Sequence, residues 1–234
     1  MTYDFIFSAG QWCATATYLT KYALRSSSGP FDWFLAHHVP FAVYADVICR
    51  DFDGFMTADS ICPDPSVPGR YVDSPTQMVS MHDFRADRSF AEELPGVVEK
   101  FRRRAARFRA SMAAAKSVLL VRCVQAAESD PEDLKAGLSR LRAKYPGKVV
   151  DLIVLQHDAQ ADSLTSAALT DGLTVYRARF FDRDGQPVIG NTKLCGRVFR
   201  TLRVRGKWRN ICWKRMKTLR SWMRKRLRAG GGAC

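Results

Sequence analysis

The sequence of 234 residues lacks several features that would place it at once in a well-defined class of proteins. It contains seven cysteines, but they are dispersed and none forms a CxxC pair. This pattern argues against a disulfide framework and against a zinc site, so we expect reduced thiols, no metal and no cofactor. No apolar stretch approaches the roughly 20 residues that span a bilayer. The N-terminus lacks the basic region and apolar run of a signal peptide, so we expect a cytoplasmic protein.

Acidic residues are missing from the last part of the chain. After Thr192 the sequence contains 15 Lys and Arg and no Asp or Glu, which leaves 22 of the 37 basic residues and all 23 acidic residues in the first 192. The net charge of +14 therefore comes from the C-terminal segment. We predict two parts, an α/β domain over residues 1–192 and a basic amphipathic tail over residues 193–234.

Large apolar residues are interspersed among the basic residues of this tail. Several fall at helical spacing: Trp208, Ile211, Trp213, Met216, Leu219, Trp222, Met223 and Leu227. A cationic amphipathic helix over residues 193–228 would attach to an anionic membrane surface, such as the inner face of the cytoplasmic membrane, with its indoles at the headgroup level. Nucleic acid is a less favoured partner, and a helix packed on the domain with its charges in solvent is a third interpretation.

Hydrophobic periodicity over the first 192 residues predicts an α/β fold. Strand patterns cover residues 3–8, 77–82, 118–124, 149–155 and 173–181, and helical patterns begin near Trp12, Pro95 and Pro131. The continuous apolar runs at 118–124 and 149–155 are typical of strands buried on both faces. The alternation predicts a mainly parallel sheet with helices on both faces, while the proline-rich stretch 62–75 predicts a loop.

A cysteine occupies the first turn of the first predicted helix. The unpaired N–H groups and the dipole of a helix N-terminus favour a thiolate, so Cys13 is a candidate nucleophile. The alternative is a buried structural thiol. In a parallel sheet, the residues that follow the strands meet at one rim, which would bring Cys13 near His82, Asp83, Arg122 and the pair His157-Asp158.

Several segments of the chain resemble a bacterial family named for papain-like cysteine peptidases. They are, in order, Ser8-Ala9-Gly10, Leu24-Arg25, Pro30-Phe31-Asp32-Trp33, Met81-His82-Asp83-Phe84, the arginine-rich run from Phe101 to Phe108, and Ser117 to Arg122. The resemblance covers roughly the first two-thirds of the chain, and Pro30 to Trp33 is its most specific part. A papain-like fold would pack the cysteine helix on an antiparallel sheet. We use the periodicity to predict the architecture and the resemblance to choose the candidate site residues.

The resemblance implies a thiol-dependent hydrolase or acyltransferase that acts on an amide, an ester or a glycoconjugate. Cys13 would be the nucleophile and His82 the base. Asp32 is our first choice for the residue that orients the base, and Asp83 is the second, because neighbouring side chains of a strand point to opposite faces. Asp32 could instead cap or order the turn after Pro30.

The candidate substrate-binding residues are Arg122, Asp83 and Gln11. Gln11 could donate to an oxyanion together with the backbone N–H of Cys13. Papain-type enzymes carry this glutamine six residues before the cysteine, where this chain has Phe7. Arg122 would bind an anionic group, or pair with a carboxylate of the rim.

A second function from another class remains open at this point. In that interpretation the rim binds a sugar phosphate or nucleotide phosphate through Arg122 and the helix N-terminus at Cys13, and Cys13 is not a nucleophile.

Overall fold

The computed structural model describes residues 1–36, 38–65, 67, 69–85, 87–180, 191–208, 210–212 and 216. The strands of this part of the chain are β1 (Thr2–Tyr3), β2 (Phe5–Ser8), β3 (Phe34–Leu35), β4 (Ile61–Pro63), β5 (Tyr71–Asp73), β6 (Met78–Ser80), β7 (Ser117–Gln125), β8 (Val149–His157), β9 (Thr165–Thr170), β10 (Leu173–Ala178) and β11 (Arg203–Val204). The α-helices are α1 (Cys13–Lys21), α2 (Phe41–Cys49), α3 (Phe90–Ala114), α4 (Pro131–Lys144) and α5 (Thr192–Phe199).

A five-stranded sheet in the order β2-β7-β8-β10-β9 forms the centre of the fold. β2 pairs in parallel with β7, β7 with β8, and β8 with β10, whereas the edge strand β9 runs antiparallel to β10. The continuous apolar runs in β7 and β8 are explained by this position, since strands in the middle of a covered sheet are buried on both faces. The α/β class and the mainly parallel sheet are confirmed.

Helices cover both faces of the central sheet, as predicted. On one face α2, α3 and α4 close an apolar cluster that includes Leu120 of β7, and the ring of Phe108 on α3 lies 4.5 Å from that of Phe7 on β2. On the other face α1 and α5 close a second cluster that includes Leu119. The neighbouring residues Leu119 and Leu120 serve opposite faces because successive side chains of a strand alternate.

A separate antiparallel sheet, in the order β3-β6-β5-β4, corrects two predictions. Residues 77–82 do not supply a strand of the parallel sheet, since β6 pairs with β3 and β5. The stretch 62–75 contains β5 and part of β4 rather than only a loop, with Pro63 at the end of an edge strand, where proline is tolerated. The buried carboxylate of Asp73 fixes the turn between β5 and β6, because it accepts a hydrogen bond from Thr76 Oγ1 at 2.7 Å.

The long helix α3 begins five residues earlier than its sequence pattern predicted. Ser89 caps the helix in a reciprocal arrangement with Glu92: Ser89 Oγ accepts from the Glu92 N–H at 3.4 Å, and Glu92 Oε2 accepts from the Ser89 N–H at 3.2 Å. Pro95, which we had expected to open the helix, therefore lies inside it. The reciprocal cap satisfies two N–H groups and sets the true start.

The start of the basic segment is held by the domain. Val198 and Phe199 of α5 are buried, and the Phe199 ring stacks on that of Tyr18 at 5.1 Å. β11 then pairs in parallel with β1. Of the amphipathic helix predicted over 193–228, residues 209, 213–215 and 217–228 lie outside the described residues, as does the turn predicted at 182–185. In the part of the chain that is described, no helix is long and apolar enough to cross a membrane.

Candidate active site

The turn that leads from β2 into α1 sets the position of Cys13. Gly10 has a φ of +56°, and a Cβ at this residue would lie 2.8 Å from atoms of the Tyr44 side chain, so glycine is needed both for its backbone conformation and for space. Trp12 is extended at the N-cap, and α1 begins at Cys13 itself. The sequence-based placement of this cysteine in the first turn of a helix is confirmed, and its side chain is half-buried.

The sulfur of Cys13 faces an imidazole. Cys13 Sγ lies 3.7 Å from Nε2 of His82, and His82 is exposed to solvent. A nucleophile and its base need to be within hydrogen-bond reach, and such contacts are often loose before a substrate binds. The two residues are 69 positions apart in the chain: Cys13 begins α1, which follows β2 of the central sheet, and His82 follows β6 of the antiparallel sheet.

The segment that carries His82 is anchored to α3 by its neighbour Asp83. This buried carboxylate accepts a hydrogen bond from Ser80 Oγ at 3.0 Å and forms an ion pair with Lys100 Nζ at 3.1 Å. Arg104 Nη1 lies 3.5 Å from the same carboxylate. Asp83 therefore points away from solvent, and through these contacts it fixes the backbone next to His82.

Trp33 is a site residue that the sequence analysis did not single out. Its ring meets the His82 ring edge to face, with 6.0 Å between the centroids. Its carbonyl accepts a hydrogen bond from the Met81 N–H at 3.2 Å, so backbone and side chain together position the histidine. The signal was present, because Trp33 ends the segment Pro30-Phe31-Asp32-Trp33.

The hydrogen bonds of Asp32 go to the turn before it. Its Oδ2 accepts from the Gly29 N–H at 2.7 Å and from the guanidinium of Arg25, and this ion pair is buried. Arg25 also donates from Nε to Thr20 Oγ1 at 2.8 Å. Among the described residues, no carboxylate accepts a hydrogen bond from His82. The orienting role of Asp32 stays a prediction, and its observed contacts order residues 25–32.

Arg122 lies beneath the rim, with 2% of its surface exposed. Its guanidinium donates to the carbonyls of Ala9 at 3.0 Å and Val39 at 2.7 Å, and it lies 4.6 Å from the centre of the Tyr44 ring. These contacts hold the turn before α1 against the segment that leads into α2. Any contact between Arg122 and a substrate would require this packing to open.

Gln11 is also fully buried. Its Nε2 donates to Glu128 Oε2 at 2.5 Å, and the other oxygen of Glu128 lies 3.4 Å from Nδ1 of the exposed His38. The amide is therefore directed to a carboxylate next to the site. All three residues that were expected to contact a substrate, namely Arg122, Asp83 and Gln11, therefore have buried side chains.

The pKa of Cys13 is raised, and this reverses the sequence-based expectation of a lowered value. Burial of the half-covered sulfur is the largest cause, because it disfavours the charged thiolate. The negative charges of Asp32 and Asp83 raise this pKa further, while the backbone N–H of Cys13 lowers it. The backbone donor at the helix start is thus outweighed, which favours the thiol over the thiolate at Cys13.

Alkylation with iodoacetamide should reveal this raised pKa. The rate of labelling at Cys13 is expected to keep rising with pH beyond the range in which an ordinary thiol has already ionised, because only the thiolate reacts. Asp83→Asn removes one of the negative charges that raise the pKa of Cys13, so the midpoint of the labelling profile should move to lower pH. Site-resolved mass spectrometry of the labelled chain gives the rate of labelling at Cys13 for each pH. A rate that has already reached its plateau at neutral pH would contradict the prediction.

The second histidine of the predicted rim, His157, is buried at the end of β8. The carboxylate of the adjacent Asp158 binds the guanidinium of Arg177, with 2.6 Å between Oδ2 and Nε. The Gln160 N–H, and after it this ion pair, lower the pKa of Asp158. The described structure brings the thiol of Cys13 together with the imidazole of His82.

Residues 4–159 match a protein family described as putative papain-like cysteine peptidase. A search of curated proteins and a search of solved structures gave no match. The family match contains the cysteine, the histidine and the Pro30–Trp33 segment, and it confirms the resemblance drawn from the sequence. Because the match spans more than half of the chain, this protein belongs to the family described as putative papain-like cysteine peptidase.

Proposed function

We propose that this protein is a thiol-dependent hydrolase or acyltransferase in which Cys13 is the nucleophile and His82 the general base. The observation that carries the proposal is the separation of 3.7 Å between Cys13 Sγ and His82 Nε2. Support also comes from the exposure of His82, which gives a substrate access to the pair from solvent.

Because the pKa of Cys13 is raised, the first chemical step includes removal of the thiol proton. His82 Nε2 takes the thiol proton as the sulfur attacks the carbonyl carbon, so a carbon–sulfur bond forms while the carbonyl π bond becomes an oxyanion. We assign the backbone N–H of Cys13 as a donor to that oxyanion, because the Gln11 amide is already bound to Glu128. The imidazolium then protonates the leaving amine or alcohol as its bond to carbon breaks, which leaves a thioester on Cys13.

The second half of the reaction decides between hydrolysis and transfer. Neutral His82 removes a proton from water or from an amine as that nucleophile attacks the thioester, and the sulfur leaves and recovers a proton from the imidazolium. The substrate class is thus a carbonyl compound, namely an amide, an ester or an acylated glycoconjugate. Binding of a sugar or nucleotide phosphate through Arg122 receives no support, because that side chain is buried against backbone carbonyls.

The test is the capture of the thioester with an activated ester. Mixing the protein with p-nitrophenyl acetate should release a burst of about one p-nitrophenol per chain, because acylation of an activated ester outpaces deacylation. Peptide mapping should then find one acetyl group on the peptide that contains Cys13. Steady release with no burst and no acetylated Cys13 would overturn the proposal.

A further inference from the structure

Three basic residues lie along the outer face of α5. Lys193, Arg197 and Arg200 follow one another at spacings of four and three, which places them on one side of the helix, and all three are exposed. The opposite side carries Val198 and Phe199, which are buried in the domain. The core thus fixes the orientation of α5 and holds its charges towards solvent.

These three cations differ from several surface cations of the domain that form ion pairs, such as Arg140 with Asp46 at 2.6 Å and Lys144 with Asp51 at 2.7 Å. Among the described residues, no carboxylate forms an ion pair with any of the three cations of α5. Their positive potential is therefore not neutralised within this part of the chain.

Further exposed cations follow the helix in the chain. Arg203 and Lys207 are exposed and form no ion pair with a described carboxylate, and next to Lys207 the indole of Trp208 is 68% exposed. We use the term basic surface for Lys193, Arg197, Arg200, Arg203, Lys207 and Trp208. An exposed tryptophan beside unneutralised cations is unusual for a plain solvated face, because large aromatic side chains are generally buried.

We propose that the basic surface binds the surface of an anionic lipid bilayer. The cations meet lipid phosphates, and Trp208 sits at the level of the headgroups. Nucleic acid fits less well, because the sequence after Trp208 supplies the aliphatic residues Ile211, Leu219 and Leu227 in addition to Trp213 and Trp222. Aliphatic side chains gain free energy in the acyl region of a bilayer, whereas contacts with bases depend on aromatic stacking.

Co-sedimentation of the full chain with lipid vesicles tests this proposal. The protein should bind vesicles that contain phosphatidylglycerol and not vesicles of phosphatidylcholine alone, and high salt should release it. The variant Lys193→Gln/Arg197→Gln/Arg200→Gln should partition about 100-fold less, or about fivefold for each charge near the surface. Trp208→Ser should reduce both the binding and the blue shift of tryptophan emission that accompanies it.

A matched variant controls for net charge. Arg102→Gln/Arg103→Gln/Lys135→Gln removes the same charge from exposed residues that pair with Glu99 or Glu132, and it should bind vesicles as the wild type does. Equal binding to neutral vesicles would overturn the proposal, and so would an equal loss in both triple variants. Displacement from anionic vesicles by a stoichiometric DNA duplex would assign the basic surface to nucleic acid instead. If a variant fails to fold, the salt and lipid dependence of the wild type still decides the question.

Discussion

Cys13→Ala is expected to abolish the acetyl-enzyme formed with p-nitrophenyl acetate, and His82→Ala to slow its formation by about 100- to 10,000-fold. Alanine leaves no atom that can form the thioester. Without His82, the neutral thiol has no base at 3.7 Å to take its proton, and its raised pKa keeps the spontaneous thiolate scarce. Stopped-flow release of p-nitrophenol gives the rates, and peptide mapping gives the site.

The chain provides matched controls for both variants. Cys49 is another half-buried thiol whose pKa is raised by burial, but its sulfur faces the carbonyl of Arg140, so Cys49→Ala should leave the burst intact. His38 is an exposed histidine that pairs with Glu128, so His38→Ala should leave the acylation rate within a few-fold of the wild type. A larger loss in His38→Ala than in His82→Ala would reassign the base to His38.

Arg25→Leu is expected to cost about 3–5 kcal/mol of the free energy of unfolding, because it leaves the carboxylate of Asp32 buried without its cationic partner. For a chain of this size, that loss corresponds to a fall in melting temperature of about 6–20 °C. Urea unfolding of the two proteins measures the difference. The double variant Arg25→Leu/Asp32→Leu should recover much of the lost free energy of unfolding, since no unpaired charge then remains buried.

The exposed pair Arg85–Asp87 is the control for this ion pair, and Arg85→Leu should leave the unfolding midpoint nearly unchanged. Asp32→Asn separates a structural role from the orienting role suggested by the sequence. We expect it to lower stability with little change in the pH profile of acylation. A normal unfolding midpoint combined with a shifted pH profile would show instead that Asp32 acts through His82.

Much of the central sheet could be predicted because its signals are local. The apolar runs of β7 and β8, and the helix start at Asp130-Pro131, each depend on residues that are adjacent in sequence. At that helix start, Asp130 Oδ1 accepts from the Glu132 N–H at 2.9 Å, as a capping residue should. The placement of Cys13 followed in the same way from the strand and helix that flank it.

The antiparallel sheet escaped prediction, apart from the strand pattern at residues 77–82, because its strands have only two or three residues. A period of two cannot be recognised over so short a stretch, and prolines in Cys62 to Pro75 favoured a loop. β9 escaped for another reason: it is an edge strand, and nearly all of its side chains are exposed, so no apolar alternation marks it. In both cases the pairing partner, rather than the local pattern, determines the structure.

The pKa of Cys13 could not be predicted from its position in α1. The start of a helix can be recognised in the sequence. The two carboxylates that disfavour the thiolate, those of Asp32 and Asp83, come instead from the turn before β3 and from the segment after β6. The partners of Arg122 are just as distant, since they are carbonyls of Ala9 and Val39. Burial and long-range charge thus outweighed the local rule on which the expectation rested.

The thiol and the imidazole follow strands of two sheets that pair their strands independently. One direct backbone link across this boundary is the hydrogen bond from the Ala36 N–H to the Gln11 carbonyl, at 3.2 Å. A slight rotation of one sheet against the other changes the gap between sulfur and nitrogen without breaking a strand pair in either. A ligand that binds at this boundary would therefore slow the chemistry while every strand pair stays intact.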